Sequence, residues 1–136
     1  MFGSDYNLWA ILLATVANQA IGALWFSPLL FATPWLKGVG LTKESIQANP
    51  SKTPFVVSLI TALVLAVALS WANTAAATAS LGGALLVGLV VGIGVSAMAS
   101  APHYAFSGRS LKLYLIDQGH AVVTIVVMSA IIGLFR

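Results

Sequence analysis

Four continuous apolar runs, each about as long as a bilayer is thick, limit what this chain can fold into. They cover residues 7–26, 54–71, 81–101 and 111–135. A helix needs about 20 apolar residues to cross a hydrocarbon core of roughly 30 Å, whereas a membrane barrel shows alternating segments of about ten residues. Only helices and closed barrels satisfy every backbone hydrogen bond in lipid. The sequence therefore predicts a single domain, residues 1–136, which is an all-α integral membrane bundle of four transmembrane helices.

The composition excludes a water-soluble protein. Of the 136 residues, 60% are hydrophobic and 7% are charged, against roughly 45–50% and about 25% in soluble domains. The six basic residues are dispersed among short loops, so no nucleic-acid partner is predicted. The absence of cysteine excludes disulfides and thiolate metal sites.

The charges of the connections predict the orientation. Two connections on one side carry five basic residues, and the opposite side carries only Arg136. The five are Lys37, Lys43, Lys52, Arg109 and Lys112. Because Lys and Arg accumulate in cytoplasmic loops, we expect a bacterial inner membrane protein with both termini outside the cytoplasm. Residues 1–6 lack the basic region of a signal peptide, so we expect the first span to be retained.

The connection formed by residues 27–52 is the long one. Its apolar and aromatic side chains lie beside Lys37, a composition typical of a short interfacial helix in the headgroup region. Thr33 and Pro34 predict where this helix begins, and Gly38 predicts where it ends. An irregular loop is the alternative interpretation.

Capping residues, prolines and tryptophans mark the same boundaries. Thr53 is predicted to be an N-cap followed by Pro54, and Ser110 is predicted to cap the fourth span. All five prolines are expected at span ends or in loops, and all four tryptophans near the interfaces. These residues are Pro28, Pro34, Pro50, Pro54 and Pro102, and Trp9, Trp25, Trp35 and Trp71.

Small residues recur at four-residue steps in every span, which is the main sequence signal for close helix packing in lipid. The third span is the richest in glycine, so we expect it to be the central helix. The packing residues predicted in the first and third spans are Gly22, Gly88, Gly92 and Ser96. The pair Gly88 and Gly92 also suits dimerisation, so internal packing and homo-oligomer formation both stay open.

Polar residues within the spans are the candidate functional residues. Asp117 and His120 lie three residues apart, on one face of the fourth helix. An ionisable group at bilayer depth is costly and needs a reason. Asn18 and Gln19 lie in the corresponding half of the first span, and Arg109 can fold back toward them. Together these residues indicate a structural clamp, a proton or substrate site, or a hydrated interfacial patch.

No cofactor, metal or catalytic site is predicted. Asp117 and His120 have the spacing of a helical carboxylate–histidine pair, but diiron bundles use about four carboxylates and two histidines, and the chain has three acids in all. A bis-histidine haem would require His103 opposite His120, yet we expect His103 in a surface loop. Since no nucleophile–base pair or phosphate loop is found, we expect no enzyme.

Two stretches resemble a known family. Residues 23–31 read Ala-Leu-Trp-Phe-Ser-Pro-Leu-Leu-Phe, and residues 108–117 read Gly-Arg-Ser-Leu-Lys-Leu-Tyr-Leu-Ile-Asp, with His120 following. The interfacial motif of the first stretch comprises Trp25, Ser27, Pro28 and Trp35. The chain resembles, over nearly its whole length, the small bacterial membrane proteins catalogued as domain of unknown function 1761. Ser110 stands where that family's pattern has proline, and the resemblance implies four spans and no established activity.

Two functions fit these observations. The first is a structural or accessory subunit that self-associates or packs against a larger membrane complex, as the small-residue stripes and short loops favour. The second is a minimal oligomeric transporter or channel for a proton, cation or small solute that uses Asp117 and His120. Small multidrug-type transporters with four spans carry an acid in the first span, where this chain has Asn18 and Gln19. The expected partners are the lipid bilayer and membrane protein subunits.

Overall fold

A computed structural model describes residues 6–135 of the chain, and this part forms six helices. Four are long and two are short: α1 Leu8–Trp25, α2 Ala32–Val39, α3 Lys43–Ala48, α4 Thr53–Ala75, α5 Leu81–Phe106 and α6 Leu111–Leu134. Each of the four long helices is long and apolar enough to cross a membrane. The predicted all-α class with four spans is confirmed. The predictions that rest on residues 1–5 and on the charge of Arg136 lie outside the described residues.

Local hydrogen bonds determine where the long helices begin. The Ser110 hydroxyl accepts the Leu113 N–H at 3.1 Å, which confirms Ser110 as the N-cap of α6. The prediction that Thr53 is an N-cap is wrong by one position, since Thr53 is the first residue of α4 and Lys52 precedes it. The Ser51 hydroxyl accepts the Thr53 N–H at 3.2 Å. The side chain that bonds to the backbone at the start of α4 is therefore that of Ser51, two residues before Thr53.

A helix does follow the first span, but it does not end at Gly38. Gly38 lies inside α2, and Gly40, with a left-handed φ of 76°, ends the helix. This conformation is available to glycine without a steric cost. Gly38 instead permits close packing, because a Cβ there would lie 3.0 Å from Leu113 Cδ1 on α6. The structure therefore assigns different roles to the two glycines.

The central helix is α6, which packs against α1, α4 and α5. The expectation that the glycine-rich third span is central is wrong, because α5 packs chiefly against α6 alone. The glycines of α5 allow its close contact with α6. A Cβ at Gly88 would lie 2.8 Å from Val126 Cα, and a Cβ at Gly92 would lie 3.2 Å from Val122 Cα. Both glycines therefore function in internal packing.

The apolar core lies where α1, α4 and α6 meet. Its buried members are Ile11 and Ala14 of α1, Ala66 and Leu69 of α4, and Ile125, Met128 and Ile132 of α6. Most other large apolar side chains face outward, as they do in a protein whose surroundings are lipid.

The third long helix continues through Pro102, which corrects the expectation that this proline ends the span. The preceding segment, Val90–Ala97, is π-helical. Pro102 has no N–H to donate to the carbonyl four residues before it in the helix. Just before this site, the Tyr114 hydroxyl on α6 donates to the Ala97 carbonyl at 2.7 Å. A hydrogen bond from the fourth span therefore holds the third span near its proline.

Candidate functional site: polar contacts of the spans

The Asp117 carboxylate on α6 joins three helices. Its Oδ1 accepts a hydrogen bond from Trp35 Nε1 on α2 at 2.9 Å, and its Oδ2 accepts one from the Tyr104 hydroxyl on α5 at 2.5 Å. Hydrogen bonds to a carboxylate are shorter and stronger than those between neutral groups. We call Trp35, Tyr104 and Asp117 the Asp117 clamp. One side chain of α6 therefore holds both α2 and the end of α5.

The turn between α5 and α6 places Tyr104 beside Asp117. Gly108 takes a left-handed φ of 70°, which closes this turn. The Arg109 N–H donates to the Tyr104 carbonyl at 3.0 Å, so the end of α5 folds back along the start of α6. The rings of Tyr104 and Tyr114 meet edge to face, with centroids 5.3 Å apart. The Tyr104 hydroxyl is therefore held in position by both backbone and ring contacts.

Trp25 makes a second attachment, between the end of α1 and α6. Its Nε1 donates to the Ile116 carbonyl at 3.0 Å. Gly119 allows the indole to approach, because a Cβ there would lie 3.2 Å from Trp25 Cζ2. The Trp25 ring also packs against Phe31, with centroids 4.8 Å apart. The last turn of α1 is therefore fixed to the backbone of α6 one residue before Asp117.

The other residues of the predicted interfacial motif shape the chain rather than bind α6. The Ser27 hydroxyl donates to the Leu24 carbonyl at 2.6 Å, which satisfies a carbonyl of the last turn of α1. Pro28 is exposed in the turn that follows. The motif thus combines two tryptophans that bond to α6 with two residues that redirect the chain toward α2.

His120 lies in an apolar and aromatic environment. Its ring centroid is 5.0 Å from that of Phe26 and 6.2 Å from that of Trp25. A Cβ at Gly22 would lie 3.5 Å from His120 Nε2. Among the described residues, no group forms a hydrogen bond with this buried nitrogen. Although His120 and Asp117 share a side of α6, His120 faces α1 and Asp117 faces α2 and α5.

Asn18 and Gln19 make their contacts elsewhere. Gln19 Nε2 donates to the Ser58 hydroxyl on α4 at 3.1 Å and to Asn18 Oδ1 at 3.1 Å. Asn18 Nδ2 donates to Met128 Sδ at 3.5 Å. Ser58 is exposed and Gln19 is half-buried, so the bond between them lies at the outer surface of the bundle. We call these two residues the Gln19–Ser58 pair.

The five residues of the predicted polar cluster therefore do not form one site, although Asn18 and Gln19 bond to each other. No hydrogen bond among residues 6–135 joins the surroundings of Asp117, those of His120, and those of Asn18 and Gln19. Arg109 is exposed on the turn before α6. Within the same described range, His, Asp and Glu residues form no group of three that could hold a metal ion. The packing residue Ser96 contacts α6, its hydroxyl donating to Gln118 Oε1 at 3.4 Å.

A buried polar network, which was not predicted from the sequence, lies at the opposite end of the bundle. Asn73 Nδ2 donates to the Ser129 hydroxyl at 3.0 Å, and that hydroxyl donates to the Ala84 carbonyl at 2.7 Å. The Thr78 hydroxyl donates to Asn73 Oδ1 at 2.8 Å. Asn73 and Ser129 are both fully buried. This network joins α4, α5 and α6.

Two sequence signals could have found the missing residues. The alanine-rich stretch 72–77 has high helix propensity, so α4 could have been extended past Trp71 to include Asn73. Tyr104 was missed because Pro102 was expected to end the third span. A tyrosine hydroxyl within a protein usually has a hydrogen-bond partner. The half-buried Tyr104 hydroxyl finds one in Asp117, the acid of the fourth span.

The sequence of the chain matches one family model, described as protein of unknown function (DUF1761), over residues 9–133. The matched range includes all three members of the Asp117 clamp and nearly all of the four spans. No curated protein and no solved structure shows a significant match to the chain. The chain belongs to the DUF1761 family of proteins of unknown function.

Proposed function

We propose that this protein is a structural or accessory subunit located in a bacterial inner membrane, and that it is not an enzyme. The observation that supports this proposal is the bonding of Asp117, the acid in the described long helices, whose two carboxylate oxygens both accept cross-helix hydrogen bonds. An acid that carries a proton or a cation must exchange its partners during each cycle. An acid that holds three helices together stabilises the protein by keeping the same hydrogen-bond partners. The geometry of the Asp117 clamp favours the second role.

The exposed Gln19–Ser58 pair supports association with another membrane protein. It lies on the outside of α1 and α4, and every residue of α4 up to Thr61 is exposed. Polar groups that face lipid are costly, and hydrogen bonds between polar side chains of neighbouring helices stabilise helix association. We therefore infer that a second copy of this chain or a larger complex packs against this surface.

The basic residues support an orientation. The four spans place α2, α3 and the turn between α5 and α6 at one end of the bundle, which we call the lysine-bearing end. It carries Lys37, Lys43, Lys52, Arg109 and Lys112. The excess of Lys and Arg favours a cytoplasmic location for this end, with both termini outside.

Purification in a mild detergent tests the proposal. We expect light scattering to give the mass of a defined homo-oligomer or of a stoichiometric complex with another subunit. Gln19→Leu should weaken this association by roughly three- to thirtyfold, the ratio that corresponds to about 0.6–2 kcal/mol for a polar interhelical contact.

Ser100→Ala is the matched control for this experiment, because the Ser100 hydroxyl bonds to the Ser96 carbonyl of its own helix at 2.9 Å. Its association should equal that of the wild type. A lone, stable wild-type monomer, or an equal loss of association in both variants, would contradict the proposed role.

Proton or cation transport is a second candidate function, and His120 is the observation that favours it. A buried imidazole nitrogen with no hydrogen-bond partner among the described residues is available to bind a proton or a solute. Apolar rings surround His120, and among the described residues no hydrogen bond joins it to Asn18, Gln19 or Asp117, which favours the structural role instead.

Proton flux into proteoliposomes distinguishes the two functions. Under an imposed potassium diffusion potential, an entrapped pH dye should report the same rate for wild type, Asp117→Asn, His120→Ala and protein-free vesicles. A wild-type flux above this background that is lost in His120→Ala would support transport and overturn the structural proposal.

A further inference from the structure

An open groove of about 750 Å³ lies between the connection from α1 to α2 and the first turns of α6. Trp25 and Phe31 line one side, and Leu115 and Ile116 line the other. Gly119 lines one end of the groove, where the Trp25 indole packs against it. An alkyl chain in this groove would have apolar contacts on several sides, whereas the convex surface of a single helix offers contacts on only one.

The groove begins at the depth of the lipid headgroups. Along α6 it runs from Leu111 to Gly119, about 12 Å at 1.5 Å per residue. Counting back about 20 residues from Leu134 reaches Leu115, which places Leu115 at the edge of the hydrocarbon core. Lys112 lies three residues before it, so its ammonium group is at headgroup depth while Gly119 is within the acyl-chain region.

Lys112 supplies a positive charge where the groove opens. Its side chain is exposed and lines the groove. The nearby Asp117 carboxylate bonds to Trp35 and Tyr104 rather than to Lys112. The lysine-bearing end has five basic residues, and among its described residues only Asp117 and Glu44 are acidic. An anion at this end of the protein is therefore favoured electrostatically.

We propose that this groove binds one anionic glycerophospholipid, with its phosphate on Lys112 and an acyl chain along Leu115, Ile116 and Gly119. The apolar walls would accept the chain of any phospholipid. The positive charge selects a lipid whose headgroup is negative overall, because a zwitterionic headgroup also brings a cation toward Lys112. This site is distinct from the Gln19–Ser58 pair and does not depend on a protein partner there.

Native mass spectrometry of the full chain in a mild detergent tests the site. The probes are phosphatidylglycerol and phosphatidylcholine with identical acyl chains, added in equal amounts. We expect one phosphatidylglycerol per protein, preferred by on the order of fivefold, the ratio for about 1 kcal/mol per basic residue at a membrane surface. Lys112→Gln should remove the preference, whereas Lys43→Gln, the same charge change on α3 outside the groove, should keep it.

Leu115→Trp tests the apolar part of the site separately. Leu115 is 58% exposed, so a larger side chain can be placed there without displacing the core. Filling the groove should lower the retention of both lipids several-fold. Equal retention of the two lipids by the wild type, equal effects of Lys112→Gln and Lys43→Gln, or unchanged retention in Leu115→Trp would each overturn the proposal.

Discussion

Replacing Gly133 with alanine is expected to lower the free energy of unfolding by about 1–3 kcal/mol, the usual cost of overpacking a well-packed interior. Gly133 lies where α6 crosses α5, and a Cβ there would overlap the Cβ of the fully buried Ala84. Neither methyl group can rotate away, so the backbones of the two helices must separate. Reversible unfolding in mixed detergent micelles, followed by circular dichroism, measures this cost.

Two further variants make this prediction specific to the helix crossing. Gly94→Ala adds the same methyl group at an exposed position of α5 where no heavy atom lies within 4 Å, so it should not destabilise the protein. Combining Gly133→Ala with Ala84→Gly exchanges the two side chains and should recover most of the lost stability. The described packing of α5 on α6 would be contradicted by equal stabilities of Gly133→Ala and Gly94→Ala.

Asp117→Ala is expected to lower the free energy of unfolding by about 1.5–3 kcal/mol, the range for a hydrogen bond to a charged group. The substitution leaves the Trp35 indole N–H and the Tyr104 hydroxyl without their acceptor. The same micelle unfolding experiment measures the loss. Glu44→Ala is the control for charge, because Glu44 is an exposed acid on α3, and it should leave stability nearly unchanged.

A double-mutant cycle isolates the bond between Asp117 and Tyr104. Tyr104→Phe removes only the hydroxyl, so its cost should largely disappear when Asp117 is already alanine. A coupling energy of about 0.6–1.7 kcal/mol is the expected size for such a bond within a membrane protein. Strictly additive effects of the two substitutions would show that the two side chains do not stabilise each other.

The fold class could be predicted because lipid imposes one simple requirement on every span. Continuous apolar length indicated the four helices, and the hydroxyl of Ser110 indicated where α6 begins. The helix ends that were misplaced depend on contacts between distant residues. The span that passes Pro102 has its Ala97 carbonyl bonded to Tyr114, and no spacing within the third span reveals that donor.

The candidate site was less predictable because residue type and helical position do not determine partners. Asp117 was recognisable as costly within a span, but its partners Trp35 and Tyr104 come from a short helix and from a helix end. Glycine content similarly misidentified the central helix. Gly88 allows α5 and α6 to approach each other closely. A helix is central, however, when several other helices pack around it, as they do around α6.

Asp117 holds α2 and the end of α5 onto α6, and a distance measurement tests this role most directly. Because the chain has no cysteine, spin labels can be attached at two introduced cysteines, replacing the exposed Lys37 on α2 and Phe106 on α5. Double electron–electron resonance should give one narrow distance distribution for the otherwise wild-type protein and a broad one for Asp117→Ala. An equally narrow and unshifted distribution in Asp117→Ala would contradict the claim.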